Sequence, residues 1–357
     1  MIFQIKRIFN SIIHNITKGF KILIDKVSMA GFIAICALVL FFFWDFIIMS
    51  VHQGIAFYLV ERADKEYQNS QYIDAINDYE RALQFYPEHY RARYNLGNIY
   101  VAYEDYDKAA ECYEEALNYK KDFLKARINL GIILVDGLMQ IDRAIEQYQI
   151  AVSTKSLNPS KIKENQLDRA IAYYNLGLAY KDKSLLLGYD PIASRVQLEN
   201  AVEAYLNSLK LRDEDYDTYY NLALTYQLLG NFEGAKKYYC KAINMQPFNY
   251  EAHYNFAILL SQDGNYFGSM EELEKAGIIL DSKGDSYRTY FVYGILNDVS
   301  QKAILKEGLG TFLQNSEKNL DYQPDEIKYV DGKVYISDKL DKRILNNMKS
   351  CQICKDK

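Results

Sequence analysis

The chain has 357 residues, of which 49% are hydrophobic and 25% charged, a composition that can bury a sizeable core and excludes a disordered or collagen-like polymer. Only five prolines and eighteen glycines are present, too few for the frequent turns of an all-β protein, so helices are expected. The formal charge is −5 although the first 28 residues are basic, so we expect no nucleic-acid partner for the main body.

The N-terminal segment, residues 1–26, is basic and amphipathic. At 100° per residue its apolar side chains fall on one stripe, and Arg7, Lys18 and Lys21 lie opposite. Such a stripe directly before an apolar span predicts a helix in the headgroup layer of an anionic leaflet. The alternative is a segment that packs on a protein partner.

The next segment, residues 27–51, predicts a transmembrane signal-anchor helix. Residues 27–44 read VSMAGFIAICALVLFFFW without a charge, and FIIMSV follows Asp45. A hydrocarbon core requires roughly 20 apolar residues in a helix, and this stretch supplies them. A buried core helix and a cleavable signal sequence are the alternatives. The basic flank predicts a single-pass membrane protein with a cytoplasmic N-terminus and the remaining chain outside the cytoplasm.

Two short phrases then recur along the chain. The first occurs as RYNLGNIY (93–100) and YYNLGLAY (173–180), and the second as AAECYEEAL from Ala109 and AVEAYLNSL from Ala201. Their alternation over residues 56–283 resembles the tetratricopeptide repeat (TPR), a 34-residue helix-turn-helix unit. The resemblance implies an all-α fold, a right-handed α-solenoid of about six units. The units would be 56–89, 90–123, 124–157, 170–215, 216–249 and 250–283.

Small residues mark the places where the two helices of a unit are expected to meet. Gly97, Gly131 and Gly177 in first helices would let the second helix approach closely. In the second helices of the first five units, a tyrosine between two small residues would fill this contact: Tyr79, Tyr113, Tyr148, Tyr205 and Tyr239. The sixth unit has Leu273 at this position. No unit can bury its apolar face alone, so stacking of units is expected to create the core.

The middle of the array departs from the 34-residue period. About twelve residues separate the third and fourth units, and the fourth contains about twelve more around KSLLLGYDPIASRVQ. Asp190 and Pro191 there predict the cap and first turn of a lengthened second helix. Such insertions are either tolerated variation in a loop or a surface to which a partner binds.

A capping helix at 284–312 and a C-terminal tail at 313–357 are predicted after the repeats. IKYV, Asp-Gly and KVYI predict a β-hairpin at 327–336, because Asp-Gly favours a type I′ turn. An isolated hairpin is only marginally stable, so it is expected to dock on the last helices or on a partner.

The sequence predicts neither catalysis nor a cofactor. It contains no HExxH motif, phosphate-binding glycine loop or GxSxG motif, and its carboxylates are expected on solvated surfaces. The five cysteines are irregularly spaced and predict no disulfide framework. Cys351 and Cys354 form a CxxC motif, which indicates incidental thiols or half of a metal site completed by a second chain.

The TPR resemblance implies that the first helices line a concave face, which we term the first-helix surface. It would pair tyrosine rings with amides suited to an extended peptide. Its residues are Tyr94, Asn95, Asn98, Lys125, Asn129, Tyr174, Asn175, Tyr220, Asn221, Tyr254 and Asn255. Alternatively, the asparagines tie neighbouring first helices together. The family's clamp for a C-terminal carboxylate is expected to be absent, since Val60, Asp64 and Asn129 replace three of its five members.

Charge varies along this predicted surface. Basic residues lie toward the membrane-proximal end, and acidic residues lie at the distal end. This polarity would orient a bound segment with its acidic part toward the membrane. The basic residues are Arg91, Arg93, Lys125 and Arg127, and the acidic ones are Asp217 and Glu251.

The expected function is that of a membrane-anchored TPR scaffold that mediates protein–protein or protein–peptide interaction. It would assemble or recruit a complex at the membrane, with a protein or peptide ligand in the groove and the membrane as partners. One alternative is a non-catalytic subunit of a membrane enzyme. The other is a metal or redox module that uses the C-terminal CxxC motif.

Overall fold

The computed structural model describes residues 29–154, 162–307, 327–330 and 333–336. Thirteen α-helices and two β-strands lie within these ranges, and the all-α expectation for the main body is confirmed. The helices are α1 (Met29–Gln68), α2 (Tyr72–Phe85), α3 (Tyr90–Ala102), α4 (Tyr106–Tyr119), α5 (Leu124–Asp136), α6 (Ile141–Ser153), α7 (Ile162–Leu186), α8 (Pro191–Leu211), α9 (Tyr216–Leu228), α10 (Phe232–Met245), α11 (Tyr250–Gln262), α12 (Tyr266–Ser282) and α13 (Ser286–Glu307). The strands are β1 (Ile327–Val330) and β2 (Lys333–Ile336).

The chain forms two compact units, Met1–Tyr119 and Lys120–Lys357. In the first unit α1 packs against α2, α2 against α3, and α3 against α4. The second unit contains the helix pairs α5–α6, α7–α8, α9–α10 and α11–α12, and α13 packs on α12. Within this unit each second helix also contacts the first helix of the next pair, so neighbouring pairs share their buried surfaces.

Side-chain caps fix where several helices begin. Asp190 accepts hydrogen bonds from the backbone N–H groups of Ile192 and Ala193 at 3.1 and 3.0 Å, and Pro191 lies in the first turn of α8. The predicted start of the lengthened helix is therefore confirmed. The caps of α3, α9, α10, α11 and α12 are His89, Asp215, Asn231, Asn249 and Asn265.

The turn after five of the first helices contains one residue in the left-handed conformation. These residues have φ between 56° and 78°: Ser70, Glu104, Met139, Gly230 and Gly264. The two glycines adopt this φ without a steric penalty, because they have no Cβ. The other three residues carry a side chain in a conformation that L-residues disfavour. The turn is therefore strained after α1, α3 and α5 and free of this strain after α9 and α11.

Helix α1 joins two predicted segments in one continuous helix of 40 residues. The stretch Phe43–Gln68 is long and apolar enough to cross a membrane by length and composition, a criterion that core helices and signal sequences also meet. From Ala56 onward the helix packs in the first unit, where Ala56 and Ala63 are fully buried. Before that point its large apolar side chains are exposed, including Phe41 and Trp44, which are 75% and 58% exposed.

The cysteines differ from the sequence expectation at one position. Cys36 and Cys112 are free, whereas Cys240 on α10 is disulfide-bonded. The sequence predicted no disulfide framework, and it did not indicate this single bond at Cys240. Irregular spacing gave no signal for this bond, because spacing says nothing about which residues meet in space. The CxxC motif lies outside the described residues, as does the predicted segment at 1–26.

Strands β1 and β2 pair antiparallel in the register that the sequence predicts for a hairpin. The paired residues are Ile327 with Ile336, Lys328 with Tyr335, Tyr329 with Val334, and Val330 with Lys333.

Candidate functional site

The first helices are positioned by a contact between glycines and the buried tyrosines of the second helices. The five predicted tyrosines are all at most 2% exposed, which confirms their role as packing residues. A Cβ atom added to Gly97 would lie 2.7 Å from Tyr113 Cε1, and one on Gly177 would lie 2.5 Å from Tyr205 Cε1. Any larger residue would push the two helices of the pair apart.

Two amides of the first-helix surface lie in the first unit, on α3. Asn95 donates from Nδ2 to Asp64 Oδ1 at 2.9 Å, and Asp64 lies on α1. Asn98 accepts a hydrogen bond from the Tyr113 hydroxyl at 2.7 Å. Asn95 thus ties two neighbouring first helices together, as the alternative explanation of the asparagines predicts.

In the second unit, the first helices α5, α7, α9 and α11 lie beside one another in chain order. Asn255 on α11 donates to the Tyr220 hydroxyl on α9 at 2.6 Å, and Asn221 on α9 donates to the Tyr174 hydroxyl on α7 at 3.3 Å. Asn221 also accepts from Lys181 Nζ at 2.8 Å, so both ends of its amide are bonded within the protein. Each of these amides therefore bonds to the tyrosine of the preceding first helix.

Asn175 on α7 differs from these two amides. Asn175 donates to the backbone oxygen of Ile171 in its own helix at 3.1 Å and to no neighbouring first helix among the hydrogen bonds that the structure describes. Asn129 is half-buried, and Lys125 is exposed. Asn175 is therefore the amide of α7, α9 and α11 that contributes least to stacking.

The tyrosines of the second unit present neutral hydroxyl groups. Burial raises the pKa of Tyr174 to about 12, and the nearby charges of Asp217 and Asp215 add to the shift. Burial and then Glu251 likewise raise the pKa of Tyr220 to about 12. These phenols therefore stay protonated through the physiological range and act as neutral hydrogen-bonding groups beside flat apolar rings.

Part of the predicted charge gradient is wrong. Arg93 forms an ion pair with Glu115 on the second helix of its pair. Arg127 is buried and donates to Gln147 Oε1 at 2.7 Å and to the Lys121 backbone oxygen at 2.9 Å. Both guanidinium groups are therefore used inside their helix pairs. Arg91 and Lys125 remain exposed basic residues, and Asp217 and Glu251 are exposed acidic ones.

The repeats match models of a known protein family. Two models described as tetratricopeptide repeat match residues 66–128 and 216–249. The chain contains tetratricopeptide repeats. No curated protein matches it in sequence.

Solved structures share the TPR fold with this chain. Pseudomonas aeruginosa pilF is 16% identical, with 68% of this chain and 98% of pilF covered at a TM-score of 0.52. Acl4, the assembly chaperone of RpL4, is 12% identical, with 70% of this chain and 98% of Acl4 covered at a TM-score of 0.51. YrrB, a TPR protein with an unusual peptide-binding site, is 24% identical, and the match covers 53% of this chain and 85% of YrrB at a TM-score of 0.41. At these identities the likeness shows the fold alone.

The TPR chain also contains a buried charged cluster that the sequence analysis missed. Glu272 on α12 is fully buried, contrary to the expectation of solvated carboxylates. Its Oε2 lies 2.5 Å from His253 Nδ1, and Lys275 Nζ donates to its Oε1 at 2.7 Å. His253 Nε2 lies 2.9 Å from the Pro247 backbone oxygen. Both ring nitrogens of His253 therefore have an oxygen partner within hydrogen-bond distance.

A recurring sequence signal could have revealed this cluster. Arg93, Arg127 and His253 occupy the fourth position of their predicted units, where each is bonded to a polar residue of the second helix. A polar fourth position therefore indicates a tie within the helix pair.

The lengthened fourth pair carries an exposed apolar tip. Leu185, Leu186, Tyr189 and Ile192 at the junction of α7 and α8 are between 62% and 84% exposed. A cavity of about 160 Å³ lies elsewhere between the same two helices, and none of the first-helix surface residues lines it. No group of three metal-ligating side chains occurs among the residues that the structure describes.

Proposed function

We propose that this chain is a membrane-anchored TPR scaffold that holds an extended peptide segment of a partner protein against α7, α9 and α11. The observation that carries the proposal is the repeated pairing of a half-buried, neutral tyrosine with an amide on neighbouring first helices. Rings of this kind supply apolar contact area, and amides bond to a peptide backbone irrespective of its sequence. The scaffold has no chemistry of its own in this proposal.

In this proposal the amides that bond to a neighbouring first helix stabilise stacking, and the amide that does not is available to the ligand. Asn221 and Asn255 stabilise the array through Tyr174 and Tyr220. Asn175 bonds only to a carbonyl of its own helix among the described hydrogen bonds, so losing its side chain leaves the neighbouring helices tied. The proposal therefore assigns Asn175 and the exposed Lys125 to the ligand, with Tyr174 and Tyr254 as flanking rings.

The proposed anchor is the apolar part of α1 before Ala56. Its apolar side chains Phe43, Trp44 and Phe46 are exposed, and a bilayer would cover them. The basic flank favours a cytoplasmic N-terminus with the repeats outside.

Affinity capture tests the ligand proposal. The detergent-solubilised chain would be immobilised and exposed to a membrane extract of its source cells, and bound proteins would be quantified by mass spectrometry. Asn175→Ala should reduce capture of the same partner several-fold while the thermal melting curve is unchanged, and Lys125→Ala should also reduce capture. Asn244→Ala is the matched control, because it removes an exposed amide from the second helix α10.

Two results would contradict the proposal. If capture persists in both variants, the partner binds elsewhere, and the apolar tip at Leu186 and Tyr189 is the next surface to test, for example with Leu186→Ser. If the captured partner is an enzyme whose activity depends on this chain, the alternative of a non-catalytic enzyme subunit is favoured instead.

Protease accessibility tests the membrane proposal separately. Protease added outside sealed cells or vesicles should degrade the repeats and leave a small membrane-bound N-terminal fragment. Protection of the repeats would contradict the orientation. A mature chain that begins after the apolar stretch would contradict the anchor.

A further inference from the structure

The last helix, α13, begins with a sequence phrase that also occurs earlier in the chain. YRTYFVYG at 287–294 aligns with YDTYYNLA at 216–223, which begins the first helix α9. The aligned pairs are Tyr287 with Tyr216, Thr289 with Thr218, Tyr290 with Tyr219, and Gly294 with Ala223. The phrase therefore indicates that α13 is itself the first helix of a seventh repeat.

The packing of α13 agrees with this assignment. It packs on the preceding second helix α12, and its Val292 and Val299 are buried in one cluster with Leu273 of α12. A Cβ atom added to Gly277 of α12 would lie 2.9 Å from Tyr293 Cζ. One side of α13 therefore stacks on the array in the way that a first helix does.

The other side of α13 is open, in contrast to that of α9. On α9, Ala223 is fully buried, and Tyr219 stacks on Tyr238 of the second helix α10 with ring centroids 6.1 Å apart. On α13, Tyr290 is 77% exposed, and a Cβ atom added to Gly294 would have no atom within 4 Å. The side that α10 covers on α9 is thus uncovered on α13.

The chain does not turn back after α13 where it turns back after α9. Helix α9 ends at Leu228, which aligns with Val299, whereas α13 continues to Glu307. Within the part of the chain that the structure describes, no helix takes the place beside α13 that α10 has beside α9. The seventh repeat therefore has a first helix without a described second helix.

Tyr287, Tyr290, Phe291 and Gly294 form this uncovered side, which we term the open α13 face. They follow the i, i+3, i+4, i+7 spacing of one helix face, and all four residues are exposed. The outer face of a terminal repeat is ordinarily polar, because it meets water. Three aromatic side chains on this outer face indicate a binding surface.

We propose that the open α13 face binds an amphipathic helix of a partner protein, one that carries a tyrosine with small residues four positions before it and three positions after it. The second helices of the first five repeats all have this spacing, as in Ala235, Tyr239 and Ala242 of α10. In three of these repeats the tyrosine lies against a glycine of the paired first helix, at the position that Gly294 has in α13. The partner helix would bury its tyrosine on Gly294 in the same way.

The contacts of α10 also specify a second feature of the partner helix. Lys241, two positions after Tyr239, lies with its Nζ 4.9 Å from the ring centroid of Tyr219. Tyr290 has the position of Tyr219 in α13, so a lysine two positions after the partner's tyrosine would lie over the Tyr290 ring.

A second copy of this chain is a poor source of that helix. The tyrosines of its five second helices with this spacing are at most 2% exposed, because each is packed in its own repeat. A second copy could therefore offer one of them only by opening a helix pair. No residue of the first-helix surface lies on α13, so binding at the open α13 face does not require a peptide on that surface.

A synthetic copy of α10 is the probe, because its own partner α9 shares the opening phrase of α13. The peptide covers residues 231–246 with Cys240→Ser, and a lactam between Glu233 and Lys237, two exposed side chains one turn apart, holds it helical. An N-terminal fluorescein label allows its binding to the full chain in detergent to be followed by fluorescence anisotropy, with empty micelles as the blank. The control peptide carries Tyr239→Ala.

We expect one-to-one binding to the parent chain, weakened about tenfold or more by Gly294→Leu, since leucine would fill the place of the peptide tyrosine. Gly294→Ala should bind the peptide as the parent does, because α9 has Ala223 at this position. The Tyr239→Ala peptide should bind the parent about tenfold more weakly. Neither chain variant should melt earlier than the parent, because an added Cβ meets no atom there.

Three results would overturn the proposal. The first is the absence of binding. The second is binding that Gly294→Leu leaves unchanged, because the peptide would then bind elsewhere, for example by displacing α10. The third comes from light scattering after size-exclusion chromatography: a dimer of the parent that Gly294→Leu dissociates would show that a second copy covers the open α13 face instead.

Discussion

The contact between Gly177 and Tyr205 yields the sharpest test of the packing described here. We expect Gly177→Ala to destabilise the protein although alanine is the better helix former. The added Cβ would lie 2.5, 2.7 and 2.8 Å from three carbon atoms of the Tyr205 ring. Carbon atoms pack at about 3.5 to 4.0 Å, so ring or helix has to move by about 1 Å. Tyr205 is fully buried, so movement of its ring disturbs the side chains packed around it.

The magnitude follows from two opposing effects. Alanine in place of glycine inside a helix stabilises by about 1 kcal/mol, and overpacking of a core contact destabilises by about 1 to 3 kcal/mol. The chain offers a matched control in Gly294, an exposed residue within α13 whose added Cβ would have no atom within 4 Å. Gly294→Ala gains the helix preference without the clash. The difference between the two variants therefore isolates the overpacking effect, about 1 to 3 kcal/mol.

Urea unfolding followed by far-UV circular dichroism measures this difference. Both variants would be compared with the parent chain in the same detergent. The slopes of their free energies of unfolding against urea concentration have to agree, because a different slope would show that part of the repeat array unfolds separately. A midpoint for Gly177→Ala at or above that of Gly294→Ala would refute the close contact and with it the alignment of the two helices.

Two further predictions concern the left-handed turn and the buried cluster. Glu104 has φ of 59° in a turn where Gly230 has φ of 71°, so Glu104→Gly should stabilise the protein by about 0.5 to 1 kcal/mol in the same urea assay, and a lower midpoint would contradict this. Glu272→Gln should destabilise by about 3 to 5 kcal/mol, because Lys275 and His253 would lose their buried counter-charge. Burial disfavours the ionised form of Glu272, but Lys275 and then His253 outweigh it and lower its pKa from 4.5 to about 2. Its contribution to stability is therefore complete above about pH 4.5 and lost as pH falls toward 2, so the variant should show a smaller loss of stability between pH 5 and 2 than the parent.

Periodicity made much of the fold predictable. A 34-residue repeat of small residues and tyrosines identifies the helix pairs, because only small residues allow the backbones to approach a buried ring. Tyr113 and Tyr205 are accordingly buried against Gly97 and Gly177. Asp190 predicts the start of α8 by local chemistry alone, since a cap bonds to backbone groups two and three residues ahead.

Contacts between residues without a fixed sequence relation could not be predicted. The hydrogen bond from Asn255 to Tyr220 joins residues that are 35 positions apart. The two residue types alone do not show whether the nitrogen or the oxygen of the amide forms the bond. The burial of Glu272 depends on Lys275 of its own helix α12 and on His253 of α11, which both contact its carboxylate. The disulfide at Cys240 likewise depends on chain folding and not on cysteine spacing.

The tyrosine hydroxyls distinguish stacking from ligand binding most cleanly, because phenylalanine keeps the ring and removes only the polar group. In Tyr220→Phe, Asn255 loses an acceptor at 2.6 Å, which should destabilise the protein by about 0.5 to 1.5 kcal/mol. If the ring face and the amides hold the peptide, capture of the partner should persist, because the freed Nδ2 of Asn255 can donate to a ligand carbonyl. Loss of capture at unchanged stability would mean that the Tyr220 hydroxyl itself contacts the partner, and that stacking does not depend on this bond.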